Sequence, residues 1–368
     1  MVRRLLIATC VLTFLVGGSL IPLGLADGGA NHRVRNLNFG VSGGNVNDST
    51  RRFCCSGTLG ALVTDGTRQF ILSNNHVLAR ADDATVGEDI SQPGLIDSNC
   101  NVSTVVADFT TAVPLGQNVD AAIAQLRLGG MDPTGEIEDI GIPSSTIASP
   151  SVGMSVQKSG RTTGLTNGTI SSINTSVNVQ YQRGCGQGKK FVVSYTGQVV
   201  INSSTFSAGG DSGSLIVRNN ADHNPVALLY AGSSTSTIGN PIGEVMTKLS
   251  ARLGASLSFV GAPGGASISS SLGGQEVVPF IRGGGMQRKT LPEQAAARAS
   301  AVLERHRANL MFQDGVIGAG VGLASDDDDE TPAIVVYVDR TGRGRPVLGP
   351  SIEGVAVRLV MTDPFIAY

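Results

Sequence analysis

Short apolar segments separated by turn signals dominate the chain between about residues 50 and 260. Examples are GTLGALVT, QFILS, DAAIAQL, KFVVSY, SLIVRN and PVALLYAG, and the dipeptides Asp65-Gly66 and Asn167-Gly168 lie between such segments. Asp-Gly and Asn-Gly are strong signals for β-hairpin turns. Because these segments are too short for long helices and must pair with one another, the pattern predicts an all-β sandwich or barrel.

The composition agrees with strands joined by tight turns and argues against a nucleic-acid surface. The 368 residues include 49 glycines, and 41% of the residues are hydrophobic. A chain of this length can bury one or two cores. The formal net charge is −2, and no basic run is interleaved with aromatic residues. We therefore expect no nucleic-acid partner.

The character of the chain changes after residue 260. Residues 261–289 are rich in Gly and Ser, which is typical of a flexible linker. Residues 291–312 form the longest helical pattern, and GVIGAGVGL, PAIVVYVD and GVAVRLVM follow as three strand candidates. We interpret 290–368 as a small C-terminal α/β domain of unknown role. A further helix is expected at 242–253.

The N-terminus has the pattern of a signal peptide over residues 1–26. Arg3 and Arg4 precede an apolar stretch, and Gly24-Leu25-Ala26 provides small residues at the cleavage site. The alternative is an uncleaved membrane anchor, because the apolar stretch is long. We favour cleavage, since Pro22 and the glycines weaken a membrane-spanning helix. We then expect a secreted or periplasmic protein.

Four cysteines remain after the leader: Cys54, Cys55, Cys100 and Cys185. An even number in an exported chain permits disulfides, and four cysteines allow three pairings. A bond between the adjacent Cys54 and Cys55 is disfavoured, which leaves the other two pairings open. Zinc is the rival interpretation, but no Cys-x-x-Cys spacing supports a metal site.

Ser212 lies in SAGGDSGSLIV, residues 207–217, and is a candidate nucleophile. A serine hydroxyl needs a base to remove its proton and a third group to orient that base. Of the four histidines, His76 is the best base because it follows an apolar strand. The other three lie near the leader (His32), in a polar loop (His223) and on the late helix (His306).

Asp120 is the candidate third member because it opens the apolar segment DAAIAQL. A carboxylate drawn into the interior needs a partner, and a histidine N–H is a suitable one. Asp108 is the rival, although we expect it to be solvated at a strand end.

The set SNNHVLA, NVDAAIA and SAGGDSGSLI resembles the chymotrypsin-like (trypsin-superfamily) serine proteases, whose catalytic residues follow the order His, Asp, Ser. The segments CCSGTLGALV, QPGLID and KSGRTTGLTNGTI are further similar to bacterial members and to the plant "narrow leaf" trypsin-like proteins. The resemblance implies an all-β double barrel over 45–260, a catalytic triad of His76, Asp120 and Ser212, and no cofactor or metal. It also implies an oxyanion hole formed by the amides of Gly210 and Ser212.

The resemblance also suggests where the substrate binds. Phe206 occupies the position at or near the base of the specificity pocket, so no acid is available to bind Arg or Lys. Tyr230, Ala231 and Gly232 are expected beside the substrate main chain. We expect an apolar or small side chain before the cleaved bond. Phe206 as a plain core residue, with loops setting the specificity, is the alternative.

Two features depart from the family pattern. The segment DGGANHRVRNLNFG contains no Ile-Val-Gly-Gly sequence that could become a new N-terminus and pair with Asp211, so the partner of Asp211 stays open. The C-terminal region does not match the PDZ modules found in several exported relatives.

We assign KSGRTTGLTNGTI to a tight hairpin.

The sequence therefore predicts an exported serine endopeptidase that acts on protein or peptide substrates without a preference for Arg or Lys. Two alternatives remain: a catalytically idle binding protein on the same fold, and an esterase-like hydrolase. A membrane contact is expected only if the leader is not cleaved.

Overall fold

The computed structural model describes residues 31–261, 290–327 and 330–368. The predicted leader and nearly all of the predicted linker lie outside these ranges. Within them, no helix has both the length and the apolar character needed to span a membrane.

The described residues form twenty strands and three α-helices, together with two short 3₁₀ turns. The strands are β1 (Val41–Asn45), β2 (Gly57–Leu59), β3 (Ala61–Thr64), β4 (Gln69–Ser73), β5 (Asp89–Gln92), β6 (Thr104–Ala112), β7 (Ala122–Leu126), β8 (Ser155–Lys158), β9 (Thr166–Thr169), β10 (Ser172–Gln182), β11 (Lys190–Asn202), β12 (Leu215–Arg218), β13 (Pro225–Gly232), β14 (Ser236–Pro241), β15 (Ser258–Phe259), β16 (Val316–Leu323), β17 (Pro332–Asp339), β18 (Ser351–Ile352), β19 (Val355–Thr362) and β20 (Phe365–Ala367). The helices are α1 (Asn75–Leu78), α2 (Ile242–Leu253) and α3 (Glu293–Met311).

The first sheet is antiparallel and curls on itself. In the described ranges its eight strands follow the order β15-β3-β4-β7-β6-β5-β1-β2. Strands β2 and β3 flank Gly60, where the chain bends. Strand β2 pairs with β1 near one end of the sheet, and β3 pairs with β4 near the other end. A Cβ on Gly60 would lie 1.8 Å from the main-chain oxygen of Gly213, so glycine is needed where the first sheet meets the second.

The second sheet repeats this construction. Strands β9 and β10 are separated only by residues 170–171, and they pair with β8 and β11 respectively. The path through the described part of this sheet is β18-β19-β17-β16-β10-β11-β14-β13-β12-β8-β9, and β20 pairs with both β10 and β13. Two curled, mostly antiparallel sheets therefore make up most of the molecule, and the predicted all-β double-barrel fold class is confirmed.

The C-terminal region joins the second sheet directly. Strand β16 pairs with β10 through Ile173 and Val321, among other residues. Helix α3 packs against β16 and β17, and buried residues of all three elements form one apolar cluster. The helix and the three strand candidates are present as expected from the sequence. The boundary at residue 290 stays a prediction, because the region beyond it shares a sheet with the region before it.

Two disulfides link the loops around the first sheet. Cys54 bonds to Cys100, and Cys55 bonds to Cys185. The structure thus selects one of the two pairings that the sequence left open. The Cys55–Cys185 bond connects the first sheet to the loop between β10 and β11 of the second sheet.

Candidate active site

Ser212 lies in a tight turn that strand β2 of the first sheet holds. The amide of Thr58 donates a hydrogen bond of 2.8 Å to the main-chain oxygen of Ser212, and the Thr58 hydroxyl donates one of 2.9 Å to the main-chain oxygen of Gly210. Gly213 follows with a φ of +95°, and a Cβ there would lie 2.2 Å from the oxygen of Thr58. Only glycine fits at that position, so Gly213 is what allows the turn to approach β2.

Antiparallel pairing of β4 and β7 brings His76 and Asp120 together. Ser73 at the end of β4 pairs with Ala122 at the start of β7, and His76 and Asp120 lie just beyond this pair. The Nδ1 of His76 lies 2.6 Å from the Oδ2 of Asp120, and the His76 amide donates a bond of 3.2 Å to Oδ1. Since a carboxylate only accepts hydrogen bonds, Nδ1 carries the proton and Nε2 is left for a second partner.

Asp120 is fully buried, and residues of the second sheet supply further partners. The hydroxyl of Tyr181 in β10 donates a hydrogen bond of 2.8 Å to the Oδ2 of Asp120. The main-chain amide of Asp120 donates a hydrogen bond of 2.9 Å to the side-chain oxygen of Asn240. Sequence reasoning missed both partners. The buried positions Val177, Val179 and Tyr181 alternate along β10, so the inward direction of Tyr181 was readable, although its partner was not.

The main-chain oxygen of Tyr368 lies between the serine and the histidine. The Oγ of Ser212 donates to it over 3.0 Å, and the Nε2 of His76 lies 3.0 Å from it. No hydrogen bond within the described residues joins Ser212 directly to His76. Because this oxygen can only accept, Nε2 must carry a proton to bond it. This geometry favours a doubly protonated His76 and brings Ser212 and His76 to one main-chain oxygen, with Asp120 bonded to the far side of His76.

The environment of His76 raises its pKa above the ordinary value of 6.5. Burial is the largest single influence and lowers the pKa, but it is outweighed by the combined effect of the charge and hydrogen bond of Asp120, the hydrogen bond to the oxygen of Tyr368 and the charge of Asp48. Burial also raises the pKa of Asp48 to about 6, against the opposing charge of Arg80. His76 therefore keeps its proton to a higher pH than a free histidine while Tyr368 remains at the site.

The amides of Gly210 and Ser212 were predicted as donors to an oxyanion. Gly210 has a φ of +97°, a conformation that favours glycine. Neither amide donates a hydrogen bond to any atom in the described part of the chain. Both amides are therefore available as hydrogen-bond donors in the turn that carries Ser212.

A buried lysine is the charged partner of Asp211, which the sequence had left open. The Nζ of Lys158 lies 3.5 Å from the Oδ2 of Asp211, and both side chains are fully buried. The carboxylate also accepts hydrogen bonds from the amides of Thr162 and Ala208 and from the hydroxyl of Thr163, at 2.8, 2.9 and 2.7 Å. Strands β8 and β9 form the hairpin expected for KSGRTTGLTNGTI, but Asn167 and Gly168 lie within β9, paired with Gln157 and Val156, so their prediction as a turn dipeptide is wrong. The hairpin also supplies the ammonium beside the turn that carries Ser212.

The residues predicted for the substrate pocket lie around Tyr368. Phe206 is fully buried in an apolar cluster, and Tyr368 packs against this cluster. Tyr230, Ala231 and Gly232 end strand β13, and the last two pair with residues of β20. The structure thus places a segment of the chain itself beside the strand that was expected to hold the substrate main chain.

Two cavities border Tyr368 among the described residues. The first, of about 320 Å³, is bordered by His76, Arg80, Arg161, Gly210 and the Cys55–Cys185 disulfide. The second, of about 390 Å³, is bordered by small polar residues that include Ser207 and Ser233. Within the described ranges, one cluster of potential metal ligands is Asp48, Cys55 and Cys185, and both cysteines are used in the disulfide.

The residues that sequence reasoning set aside have partners of their own elsewhere. These pairs are His32 with the main-chain oxygen of Gly40 and with Asp139, His223 with Gln157, His306 with Glu353, and Asp108 with Arg127. None of these recorded partners is a predicted triad residue.

Comparison with known proteins gives one family model and several solved structures. The family model described as the Nal1 C-terminal domain matches residues 94–240. No curated protein sequence matches the chain significantly.

The solved structures similar to this chain are chymotrypsin-like serine proteases. A serine protease specific for glutamic acid is 22% identical, with a TM-score of 0.42, and the match covers 60% of this chain and 98% of that one. Protease A of Thermobifida fusca is 17% identical, with a TM-score of 0.41 and coverages of 62% and 100%. A chymotrypsin of Cellulomonas bogoriensis is 16% identical, with a TM-score of 0.41 and the same coverages.

Proposed function

We propose that this protein is a serine endopeptidase that hydrolyses peptide bonds through Ser212, His76 and Asp120. The observation that supports this proposal most directly is that Ser212 and His76 both bond the main-chain oxygen of Tyr368, at 3.0 Å each. Asp120 lies behind His76 and fixes its tautomer. An activated serine requires its Oγ to donate directly to the Nε2 of such a histidine, and we propose that this bond forms when the oxygen of Tyr368 leaves the site.

Each proton in the proposed reaction has a defined path. The Oγ of Ser212 forms a bond to the substrate carbonyl carbon, and its proton passes to the neutral Nε2 of His76. The carbon–nitrogen bond then breaks, and His76 gives the proton to the leaving amine. Water next attacks the acyl-enzyme ester with His76 again as the base, which releases a carboxylic acid and restores the hydroxyl of Ser212.

The turn that carries Ser212 supplies the electrostatic part of the mechanism. The amides of Gly210 and Ser212 bind the oxyanion, and each such donor contributes about 3 kcal/mol, or on the order of 100-fold in rate. The buried pair of Lys158 and Asp211 keeps this turn in place. The protein therefore orders its oxyanion hole with an internal lysine.

Further parts of the proposal concern the substrate, the organisation of the chain and the location. Phe206 and the absence of an acid at its position support a preference other than Arg or Lys before the cleaved bond.

The chain consists of a protease region at 45–260, a linker and a C-terminal region that shares the second sheet. Two disulfides support export into an oxidising compartment, where the substrates are proteins or peptides. The match to the Nal1 model over 94–240 supports a relationship to the narrow leaf proteins.

Labelling with a fluorophosphonate probe tests the proposed function. We expect the full chain to be labelled and the Ser212→Ala variant to remain unlabelled, since the probe reacts only with an activated serine. The matched control is Ser214→Ala, which removes a neighbouring hydroxyl that donates to the main-chain oxygen of Asp211. Labelling that persists in Ser212→Ala would contradict the assignment of the nucleophile.

The same samples separate the alternatives. Labelling together with cleavage of a peptide library indicates an endopeptidase, whereas labelling with turnover of small esters alone indicates an esterase-like hydrolase. A folded chain that is labelled in no variant indicates a binding protein on this fold.

A further inference from the structure

The segment Phe365–Tyr368, here called the cleft segment, lies along β13 as an added strand. Ala367 pairs with Ala231 and Ile366 with Gly232 in antiparallel register, and the amide of Tyr368 donates a bond of 3.4 Å to the main-chain oxygen of Tyr230. An extended peptide that joins a sheet edge in this way gains affinity from main-chain bonds and specificity from side-chain pockets.

The direction and end point of the cleft segment match the acyl half of a peptide. It runs antiparallel to β13 and ends with the oxygen of Tyr368 between Ser212 and His76. The residue before a cleaved bond must bring its carbonyl group next to the attacking serine. Tyr368 therefore occupies the place of the residue whose carbonyl would be attacked, and Ala367 and Ile366 occupy the two places before it.

The side chain of Tyr368 fills a pocket shaped for an aromatic ring. Its ring packs against the apolar cluster that contains Phe206, and its hydroxyl donates a bond of 3.0 Å to the main-chain oxygen of Ser233. A Cβ on Gly232 would lie 2.1 Å from the Tyr368 hydroxyl, so the ring enters only because this position is glycine.

The charges around this pocket do not favour a charged side chain. Small neutral residues line most of the adjoining cavity, and the one acid there is Asp363. Asp363 is engaged by Arg340 at 2.6 Å and also accepts from Ser234. A lysine or glutamate in place of the tyrosine would therefore be desolvated without an unengaged partner.

The cleft segment has a fixed end and an end that can leave. Phe365 is 1% exposed and its ring contacts Tyr337, so it belongs to the core. Ile366 is 43% exposed, and Ala367 and Tyr368 are half-buried. Release of residues 366–368 therefore leaves Phe365 in place and gives up the pairing of Ile366 with Gln180 and Gly232 and the partly buried ring of Tyr368.

We propose that the cleft segment is a ligand of the protein's own active site: it occupies the acyl-side subsites, holds the enzyme in a self-inhibited state, and displays the aromatic residue that the specificity pocket accepts. The assignment of these subsites to the acyl side rests on the proposed function. The occupancy of the cleft by residues 365–368 does not depend on it. External substrates compete with the segment, so the apparent activity of the full chain falls by the fraction of molecules whose cleft is vacant.

The test compares the full chain with a variant that lacks Ala367 and Tyr368, which keeps the Phe365 anchor. We expect fluorophosphonate labelling of the deletion variant to be at least about 10-fold faster, because the vacant fraction rises. Tyr368→Ala should accelerate labelling in the same direction. Tyr368→Phe, the matched control, keeps the ring and should remain close to the full chain.

A binding measurement avoids dependence on catalysis. The peptide Phe-Ile-Ala-Tyr with a free carboxyl group and an N-terminal fluorescein is titrated with each protein, and anisotropy is recorded. We expect binding to the deletion variant and at least about 10-fold weaker binding to the full chain. Peptides that end in Tyr or Phe should bind at least about 10-fold more tightly than those that end in Lys or Glu, a difference of about 1.4 kcal/mol.

The outcomes separate the two proposals. If no variant is labelled but the deletion variant binds the Tyr peptide, the proposed function fails and the ligand role stands. If the folded deletion variant is labelled no faster and binds no peptide, the ligand role is overturned. Equal binding of Tyr, Lys and Glu peptides overturns the aromatic preference. If the deletion unfolds the protein, the labelling rate of Tyr368→Ala decides in its place.

Discussion

The two sides of Ser212 are built differently. On the acyl side, the edge of β13 is paired with the cleft segment and a neutral pocket holds Tyr368. On the other side lies a cavity of about 320 Å³ bordered by Arg80, Arg161 and the Cys55–Cys185 disulfide. An open strand edge pairs readily with another strand, whereas disulfide-linked loops with charged side chains offer no such edge. One side is therefore filled by the chain itself, and the other is an open cavity.

Asp120→Asn should have the largest effect of the changes considered, because it should reduce the reaction of Ser212 while leaving peptide binding intact. An amide at this position favours the wrong tautomer of His76, and we expect labelling and hydrolysis to fall by about 10⁴-fold. In the deletion variant, binding of Phe-Ile-Ala-Tyr should change little. The control is Asp108→Asn, whose carboxylate is exposed and paired with Arg127. A variant that retains more than a tenth of the activity would show that Asp120 is not the orienting group.

Lys158→Met should disorder the turn that lies between the two sides. Removing one partner of a buried ion pair costs about 3–5 kcal/mol, and Asp211 would remain buried without its cation. We expect urea denaturation to show this loss of unfolding free energy and labelling of Ser212 to fall with it. The matched control is Lys189→Met, since Lys189 is exposed. Unchanged stability in Lys158→Met would mean that the hydrogen bonds from Thr162, Thr163 and Ala208 suffice.

Removing the Cys55–Cys185 disulfide should weaken the open side alone. Replacing both residues by Ser is expected to cost about 2–5 kcal/mol of unfolding free energy. The two bonded cysteines are 130 residues apart, against 46 for Cys54 and Cys100, so loop entropy predicts a cost about 1 kcal/mol larger than for the second bond. Thermal unfolding measures the cost. The same replacement is then made in the variant that lacks Ala367 and Tyr368, and the affinity for Phe-Ile-Ala-Tyr is measured. If the binding free energy changes as much as the unfolding free energy, the two sides of Ser212 are not independent.

The smallest effect concerns pH. Asp120, the oxygen of Tyr368 and the charge of Asp48 raise the pKa of His76, and the base must be neutral to act. Labelling of the full chain should therefore rise with pH, with a midpoint above 6.5. Without Ala367 and Tyr368 one acceptor is lost, so the midpoint should move down; Asp48→Asn should move it down slightly. A rate that is flat between pH 5 and 8 would exclude His76 as the base.

The local pattern determined much of the molecule. Turn dipeptides and short apolar segments predict the strands, and helical spacing predicts 242–253, the bounds of α2. The triad candidates also follow from local signals: each lies at the end or start of an apolar strand, where strand pairing places polar residues together. The resemblance to the protease family, rather than the local pattern, placed Tyr230, Ala231 and Gly232 beside a substrate strand, and the structure has residues of β20 there.

Other features depend on contacts between residues that are far apart in the sequence. Nothing in the local pattern of KSGRTTG identifies Lys158 as the partner of Asp211, and alternation predicts that Tyr181 is buried but not that it bonds Asp120. The disulfide pairing was likewise left open.

The sequence by itself therefore determined the strand content, the turn at Asp65-Gly66 and the order of the catalytic candidates, because period, turn chemistry and burial are local properties of a chain. Only the tertiary structure decided the disulfide pairs, the cation for Asp211, the shared second sheet and the occupant of the cleft. Ser212 and Tyr368 are 156 residues apart, and contacts over such separations depend on how two sheets curl and which edges they leave free. No short-range pattern encodes that outcome.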